Sequence, residues 1–359
     1  MKIRKMQVNK LIILVIYFII PVASFTQLPI QYADSRFRIV FYNVENLFDI
    51  YNDSLKLDDE FTPEGVRHWN NRKFYKKLNN IYRVILSVGE WEPPAIVGLC
   101  EVENRFVLNK LVYDTPLSKF GYEIIHEESP DKRGIDVAML YRPDLFKPVS
   151  HKVIGIRFPF DLASRTRDIL YVKGVVNNSD TIHFFVNHWP SKYGGLMATE
   201  PKRYFVASVL KAQVDSLFSI YDSANIIIMG DFNDNPEDES VSKYLRAKGD
   251  TSVVKSDELY NLASGLYKKG KTGTHKYQGH WEVLDQFIVS GYLLLNHKGV
   301  HISKDGQNIF NPAFLFEPDE KYSGRKPFRT FTGMKYNGGF SDHFPVYVDL
   351  KTIIIPANK

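Results

Sequence analysis

Only one cysteine, Cys100, occurs in the 359 residues. A lone thiol forms no internal disulfide, so the fold must stand on its apolar core. Cys100 lies in the apolar run AIVGLCE (95–101), where no partner for a catalytic dyad is evident. It reads as a buried structural thiol. Internal repeats, low-complexity tracts and obvious linkers are lacking as well. A strong charge of either sign is also missing. The chain holds 46 basic and 41 acidic side chains, but Lys2, Arg4, Lys5 and Lys10 all fall in the first 26 residues, which carry no acid. The remainder has 42 against 41, so the pI near 8.9 is poor evidence for nucleic-acid binding.

Long hydrophobic runs are few. The apolar stretch Leu11–Ile20 is shorter than the roughly 20 residues of a membrane span. A basic start before it, with Pro21, Ala23 and Ser24 after it, is the layout of a secretory signal peptide. Residues 1–26 are therefore expected to be a leader, and 27–359 one mature domain, exported to the periplasm or secreted. An uncleaved N-terminal anchor is the alternative. No cysteine near the cleavage region offers a lipid attachment point. The mature chain is not expected to span a membrane. Nothing calls for a stable protein partner, and a monomer is expected.

Apolar material is ample, at 44% hydrophobic and 14% aromatic. Strand-like runs recur at 37–43, 95–101, 136–142, 169–176, 181–188, 225–231, 284–290 and 344–350. Residues 71–89 place apolar side chains at 74, 78, 81, 85 and 88, a helical spacing, and 202–220 read likewise. This mixture predicts an α/β (α+β) domain of mixed sheets covered by helices.

Several strands end in a polar residue: Asn43, Glu101, His188 and Asp231. Asp285 starts another, and Ser341, Asp342 and His343 precede the last. Convergence of these ends would give a cleft suited to a hard metal ion and a phosphate. Asp231, Asn233 and Asn235 also fit the first three ligands of an EF-hand loop. That loop needs Gly at its sixth position and Glu at its twelfth, where Pro236 and Ser242 stand, so a calcium loop is excluded. A polar turn capping a strand is the bland alternative.

The ordered motifs FYNVENLFD, GLCEVENR, VNHWPSK, MGDFNDNP, VLDQFIVS and SDHFPVYVD resemble those of the endonuclease/exonuclease/phosphatase superfamily. Each motif alone is weak, while the ordered set is specific and covers about residues 36–350. The resemblance implies two mixed β-sheets packed as a sandwich flanked by helices, with the active site at one edge of the sheets. It implies a metal site for Mg²⁺ or Mn²⁺ at Glu101, with Asn43 and Asp342 near it. It implies that His188 contacts phosphate, Asp231 orients or deprotonates water, and Asn233 hydrogen-bonds the phosphate or Asp231. Asp285 and His343 would form a pair whose charged imidazole stabilises the transition state.

Arg105, Arg167 and Arg203 are weaker candidates for substrate contact, and Asp136 for support of the site. Two substrate classes stay open. One is nucleic acid, cut by in-line attack of water. The other is a smaller phosphoester, such as a lipid headgroup or inositol phosphate. A basic, aromatic run at 267–277 (Lys268, Lys269, Lys271, His275 and Lys276 with Tyr267 and Tyr277) reads as a loop, and Trp69 and Trp281 as exposed loop aromatics. A non-catalytic module of the same fold would have lost site residues, and the full set is present.

Overall fold

The computed structural model describes residues 37–176, 180–221, 223–295 and 299–351. The leader expected at 1–26 lies outside them. Two large sheets form the frame. The first contains β1 (Phe37–Leu47), β2 (Ile96–Val102), β3 (Glu123–His126), β4 (Asp136–Tyr141), β14 (Asn308–Ile309) and β19 (Val346–Leu350). Their spatial order is β14-β19-β1-β2-β4-β3. The second contains β5 (Phe146–Ile154), β6 (Ile169–Val176), β7 (Asp180–His188), β8 (Asn225–Asp231), β9 (Ala247–Lys248), β10 (Leu259–Asn261) and β13 (Asp285–Ser290). These run in the order β5-β6-β7-β8-β13-β10-β9. Each sheet has a parallel pair near its centre, β1 with β2 and β7 with β8.

Small hairpins rim one edge: β11 (His275–Tyr277) with β12 (His280–Glu282), β15 (Phe316–Pro318) with β16 (Arg325–Pro327), and β17 (Phe331–Thr332) with β18 (Lys335–Tyr336). The expected loop at 267–277 is instead divided between helix α4 (Ser264–Lys269) and β11. Antiparallel pairing of β11 with β12 draws the second half of that run into a hairpin.

The central strands are buried on both faces, and their period of two sorts side chains into layers. On β1, Ile39 and Phe41 enter the core between the sheets, while Val40, Tyr42 and Val44 pack on the other side. Helix α1 (Asn71–Gly89) covers that outer side with Phe74, Leu78, Ile81 and Ile85. On β8, Ile227 and Met229 point between the sheets, and Ile226 and Ile228 point outward. Helix α3 (Leu196–Ile220) packs there through Val206, Leu210 and Val214. Gly98 permits the close approach of the sheets, since a Cβ there would lie 2.8 Å from the Met229 side chain.

Helix α3 begins before the expected start at 202, with Pro201 in its second turn. Pro removes one helical N–H, whose acceptor would be the carbonyl of Met197. Met197 is exposed, so water can satisfy that carbonyl. Trp69 is not an exposed loop aromatic. It is fully buried, with its indole N–H donating to the Phe48 carbonyl at 3.0 Å. Trp281 is half-buried and stacks on Phe344.

Candidate active site

The layering of the core also builds the site. Asn43 continues the inward row Ile39–Phe41, His188 continues Ile182–Phe184–Val186, and Asp231 continues Ile227–Met229. Asp285 begins the inward row Phe287–Val289. Each of these four rows thus ends at one edge in a polar group. The β7–β8 register pairs His188 with Asp231, and β8–β13 pairs Asp231 with Asp285. Gly230 is required there, because a Cβ would meet the Asn187 carbonyl oxygen at 2.5 Å.

Glu101 breaks the rule. Cys100 faces the inter-sheet core, so simple alternation would send Glu101 to the other face. The ladder shifts register between Cys100 and Val102, and Glu101 has φ +61°. This irregularity re-aims its carboxylate, as β-bulges beside active sites do. Glu45, Asn46 and Asn233 also have positive φ, at +52°, +56° and +52°. Such strain costs on the order of 1–3 kcal/mol per residue and gathers where function fixes the backbone.

Asp231 is the hub. Its Oδ2 accepts from Asn43 Nδ2 at 3.0 Å, and its Oδ1 accepts from the Asn233 backbone N–H at 2.9 Å. His188 Nε2 lies 3.7 Å from Asp231 and 3.9 Å from Glu101. His343 Nε2 lies 3.9 Å from Asp231, and its Nδ1 meets Asp285 Oδ2 at 2.7 Å. Ser341 secures this strand end by donating to the Asn43 carbonyl at 2.7 Å. Cys100 forms part of the buried floor, close to His188 and Asp231.

The two imidazoles have opposite electrostatic settings. Burial lowers the His188 pKa well below its ordinary value, and Arg167 adds to the effect, so the ring is neutral. Burial also opposes charge on His343, but Asp285 and Asp231 outweigh it and raise that pKa well above the ordinary value. Burial pushes the Asp231 carboxyl up to about 6, and the His343 charge partly counters it. At neutral pH the site therefore pairs an ionised Asp231 with a protonated His343.

The donor set suits a hard divalent cation. Glu101 is partly open to solvent, and its Oε2 accepts only from the Asn46 N–H at 2.9 Å among the described hydrogen bonds. Its Oε1 lies 3.5 Å from Asn43 Nδ2. Asn43 bridges the Glu101 and Asp231 carboxylates, while its Oδ1 accepts the Glu45 N–H at 3.0 Å. Asp342 lies within metal-binding reach of His343 and His275. Its Oδ2 accepts from Arg329 Nη2 at 2.8 Å. Burial alone would raise the Asp342 pKa, yet Arg329 and His343 hold it below the usual carboxylate range.

The weaker candidates take other places. Arg203 does not face substrate. It is fully buried, with Nε donating to Asp234 Oδ2 at 2.6 Å and Nη1 to the Pro190 carbonyl at 3.4 Å. It thereby ties the loop after β8 to the segment after β7. Arg167 is buried too, donating to Asp131 at 3.1 Å and to the Trp189 carbonyl at 2.6 Å. That carbonyl also accepts from Asn233 Nδ2 at 3.0 Å, so Arg167 braces Asn233 from behind. Arg105 donates to Asn109 and the Ile124 carbonyl. Asp136 is buried and held by His126 at 3.0 Å and the Ser129 N–H at 2.8 Å. Among the described hydrogen bonds and ion pairs, none joins Arg105 or Asp136 to Asp231.

A charged chain beside the site escapes the sequence reading. Buried Glu45 accepts from Arg329 Nε at 3.0 Å and from the Thr330 N–H at 2.6 Å, and Lys77 Nζ lies 3.8 Å away. Arg329 continues to Asp342. Burial pushes the Lys77 amine down to about 8, with Glu45 partly restoring its charge. Two signals exist in the sequence. Glu45 follows Asn43 at strand spacing, and Lys77 falls between Phe74 and Leu78 on the apolar face of α1.

The chain matches the Endonuclease/Exonuclease/phosphatase family over residues 38–352. Comparison with curated proteins gives no match. Among solved structures, Danio rerio TDP2 complexed with single-strand DNA product aligns with TM-score 0.54 and 14% identity, over 89% of this chain and 100% of that one. The human Nocturnin catalytic domain with bound sulfate aligns with TM-score 0.51 and 17% identity, over 88% and 94%. The Bacteroides thetaiotaomicron mannosyl-6-phosphatase Bt3783 aligns with TM-score 0.50 and 16% identity, over 88% and 99%. At these identities the likeness is one of fold. The family match spans nearly the whole described chain. The chain belongs to the endonuclease/exonuclease/phosphatase family and is a phosphoester hydrolase.

Proposed function

We propose that this protein is an exported, Mg²⁺- or Mn²⁺-dependent nuclease that cleaves nucleic-acid phosphodiesters. Residues 1–26 act as the leader in this reading. Asp231, ionised above about 6, takes the proton of the attacking water. Asn43 and the Asn233 N–H hold its carboxylate in one orientation. His343, kept charged by Asp285 and Asp231, donates to the phosphoryl oxygens as negative charge builds. Neutral His188 presents Nε2 beside them. A divalent ion held by Glu101, with Asn43 and Asp342 nearby, would polarise the phosphoryl oxygens and ease departure of the leaving oxygen.

One observation carries the choice of nucleic acid. Lys276, Lys321, Lys326 and Arg329 line a cleft whose acidic lining residues, among those described, are Asp319 and Asp342. A substrate with a further phosphate beyond the scissile one matches that excess of positive charge. A small phosphoester is the second reading. It is favoured by the partners already held by three of these cations: Lys276 lies 2.9 Å from Asp319, Lys326 lies 3.7 Å from Glu317, and Arg329 lies 3.0 Å from Glu45 and 2.8 Å from Asp342.

The test is the double variant Lys321→Glu/Lys326→Glu. Its kcat/KM on a single-stranded oligonucleotide should fall at least tenfold at low salt, with a shallower salt dependence. Turnover of a small chromogenic phosphoester should stay within twofold. An unchanged kcat/KM on the oligonucleotide would contradict the nuclease reading.

A further inference from the structure

A second cleft opens on the other side of Tyr277, beside Asn233 and His275. Its volume is about 670 Å³, and Tyr193 and Tyr277 flank it. Tyr193 is 94% exposed and Tyr277 is 58% exposed. The backbone holds both outward. Gly194 and Gly195 adopt φ of +94° and +109° just before α3, and Gln278 and Gly279 turn the β11–β12 hairpin with φ of +47° and +87°. Among the described residues, neither tyrosine ring stacks on another aromatic ring. Leu196 and Leu284 add apolar surface within the cleft.

The charge of this cleft differs from that of its neighbour. Its charged or titratable lining residues are Lys192, Glu282 and His275, with Lys192 3.4 Å and His275 3.2 Å from Glu282. Lys192 is shared further with Asp234 at 3.6 Å and Asp238 at 3.8 Å. Among the described residues, each basic group lining this cleft, Lys192 and His275, already lies against a carboxylate. A neutral, flat group fits it: two unstacked aromatic faces, apolar flanks, and a direct opening onto Asn233. A nucleobase is flat, neutral near pH 7, and stacks on tyrosine.

We infer that the Tyr193–Tyr277 cleft seats the base of a nucleotide adjoining the scissile phosphate. The inference rests on the nuclease reading above and adds a substrate feature to it. A substrate chain would then lie across the site, with a base on the Asn233 side of Tyr277 and a neighbouring phosphate on the Asp342 side. Tyr277 lines both clefts.

The test compares two single-stranded oligonucleotides, one with a base and one with an abasic tetrahydrofuran beside the cut. Tyr193→Ala and Tyr277→Ala should each raise KM on the base-bearing strand about tenfold, with kcat within twofold. KM on the abasic strand should not move, and Tyr193→Phe should behave as wild type. Equal effects on both strands, or none, would overturn the inference.

Should the wild type cleave neither strand, the nuclease reading fails and the cleft is judged by binding. Titration of the Asp231→Asn variant with deoxyadenosine 5′-monophosphate and with deoxyribose 5-phosphate then decides. A tenfold preference for the nucleotide that Tyr193→Ala removes keeps the base subsite. Equal affinity for the two ligands overturns it.

Discussion

Asp231 and His343 are 3.9 Å apart at their closest charged atoms, and each tunes the other. Burial raises the Asp231 pKa to about 6, while its ordinary value is 3.8. The folded protein therefore binds this proton more tightly than the unfolded chain. Between those values, the contribution of Asp231 to stability falls as pH rises. The same titration sets activity with the opposite sign. Turnover should fall as pH drops through about 6, because protonated Asp231 cannot accept a proton from water. A pH–rate profile checks this, and a flat profile from pH 5 to 8 (a range of roughly one unit or more on either side of the pKa) would contradict it. Asp231→Ala and His343→Ala should each lower kcat by about 10²–10⁴-fold; Tm should stay nearly unchanged in Asp231→Ala and fall in His343→Ala, which leaves the buried Asp285 without its cation. Most of these residues are legible from the sequence because each lies at a strand end in an apolar run. The Glu45–Arg329 pair is not, since it joins residues 284 positions apart, although Glu45 alone follows Asn43 at strand spacing. Glu101 is legible as a polar strand end, but alternation alone points it away from the site, and only the family resemblance implies its metal role.

Elements fix how those side chains meet. Helix α3 sends Arg203 inward to Asp234, and this bond joins the segments that carry His188 and Asn233. Arg203→Ala would leave the Asp234 carboxylate buried without its cation, at a cost of about 3–5 kcal/mol. The expected outcome is a clear loss of Tm, measured by thermal melting, together with lower kcat as Asn233 loses its anchorage. The sequence places Arg203 near the start of a helix but does not show which way it faces. Only the packing of α3 on β8 decides that. The strands are more legible than the short hairpins after residue 291, whose pairing depends on tertiary contacts more than on local pattern. The β6–β7 pair offers a separate pH test. His183, in contact with the Tyr171 hydroxyl at 2.7 Å, has its pKa lowered to about 4, chiefly by burial. The unfolded chain binds this proton near 6.5, so stability is lost as pH falls from about 6.5 through about 4. His183→Gln should flatten that part of the stability–pH curve.

At the scale of the whole molecule, two sheets meet along apolar rows that end in one polar cluster. Stability and catalysis therefore share the same strands but use different positions on them. Met229, fully buried two residues before Asp231, should show the division. Met229→Ala should cost about 2–5 kcal/mol of stability in denaturant melts, through the cavity it leaves. Asp231→Ala should cost little stability and nearly all turnover. Among the described residues, no helix is long and apolar enough to cross a membrane. The most direct measurement uses protein lacking residues 1–26, supercoiled plasmid, and either Mg²⁺ or a chelator, with Asp231→Ala as the control. The expected result is nicking that requires the metal and disappears in the variant. Absence of nicking, alongside metal-dependent phosphate release from a small ester, would contradict the nuclease reading and assign the site to smaller phosphoesters.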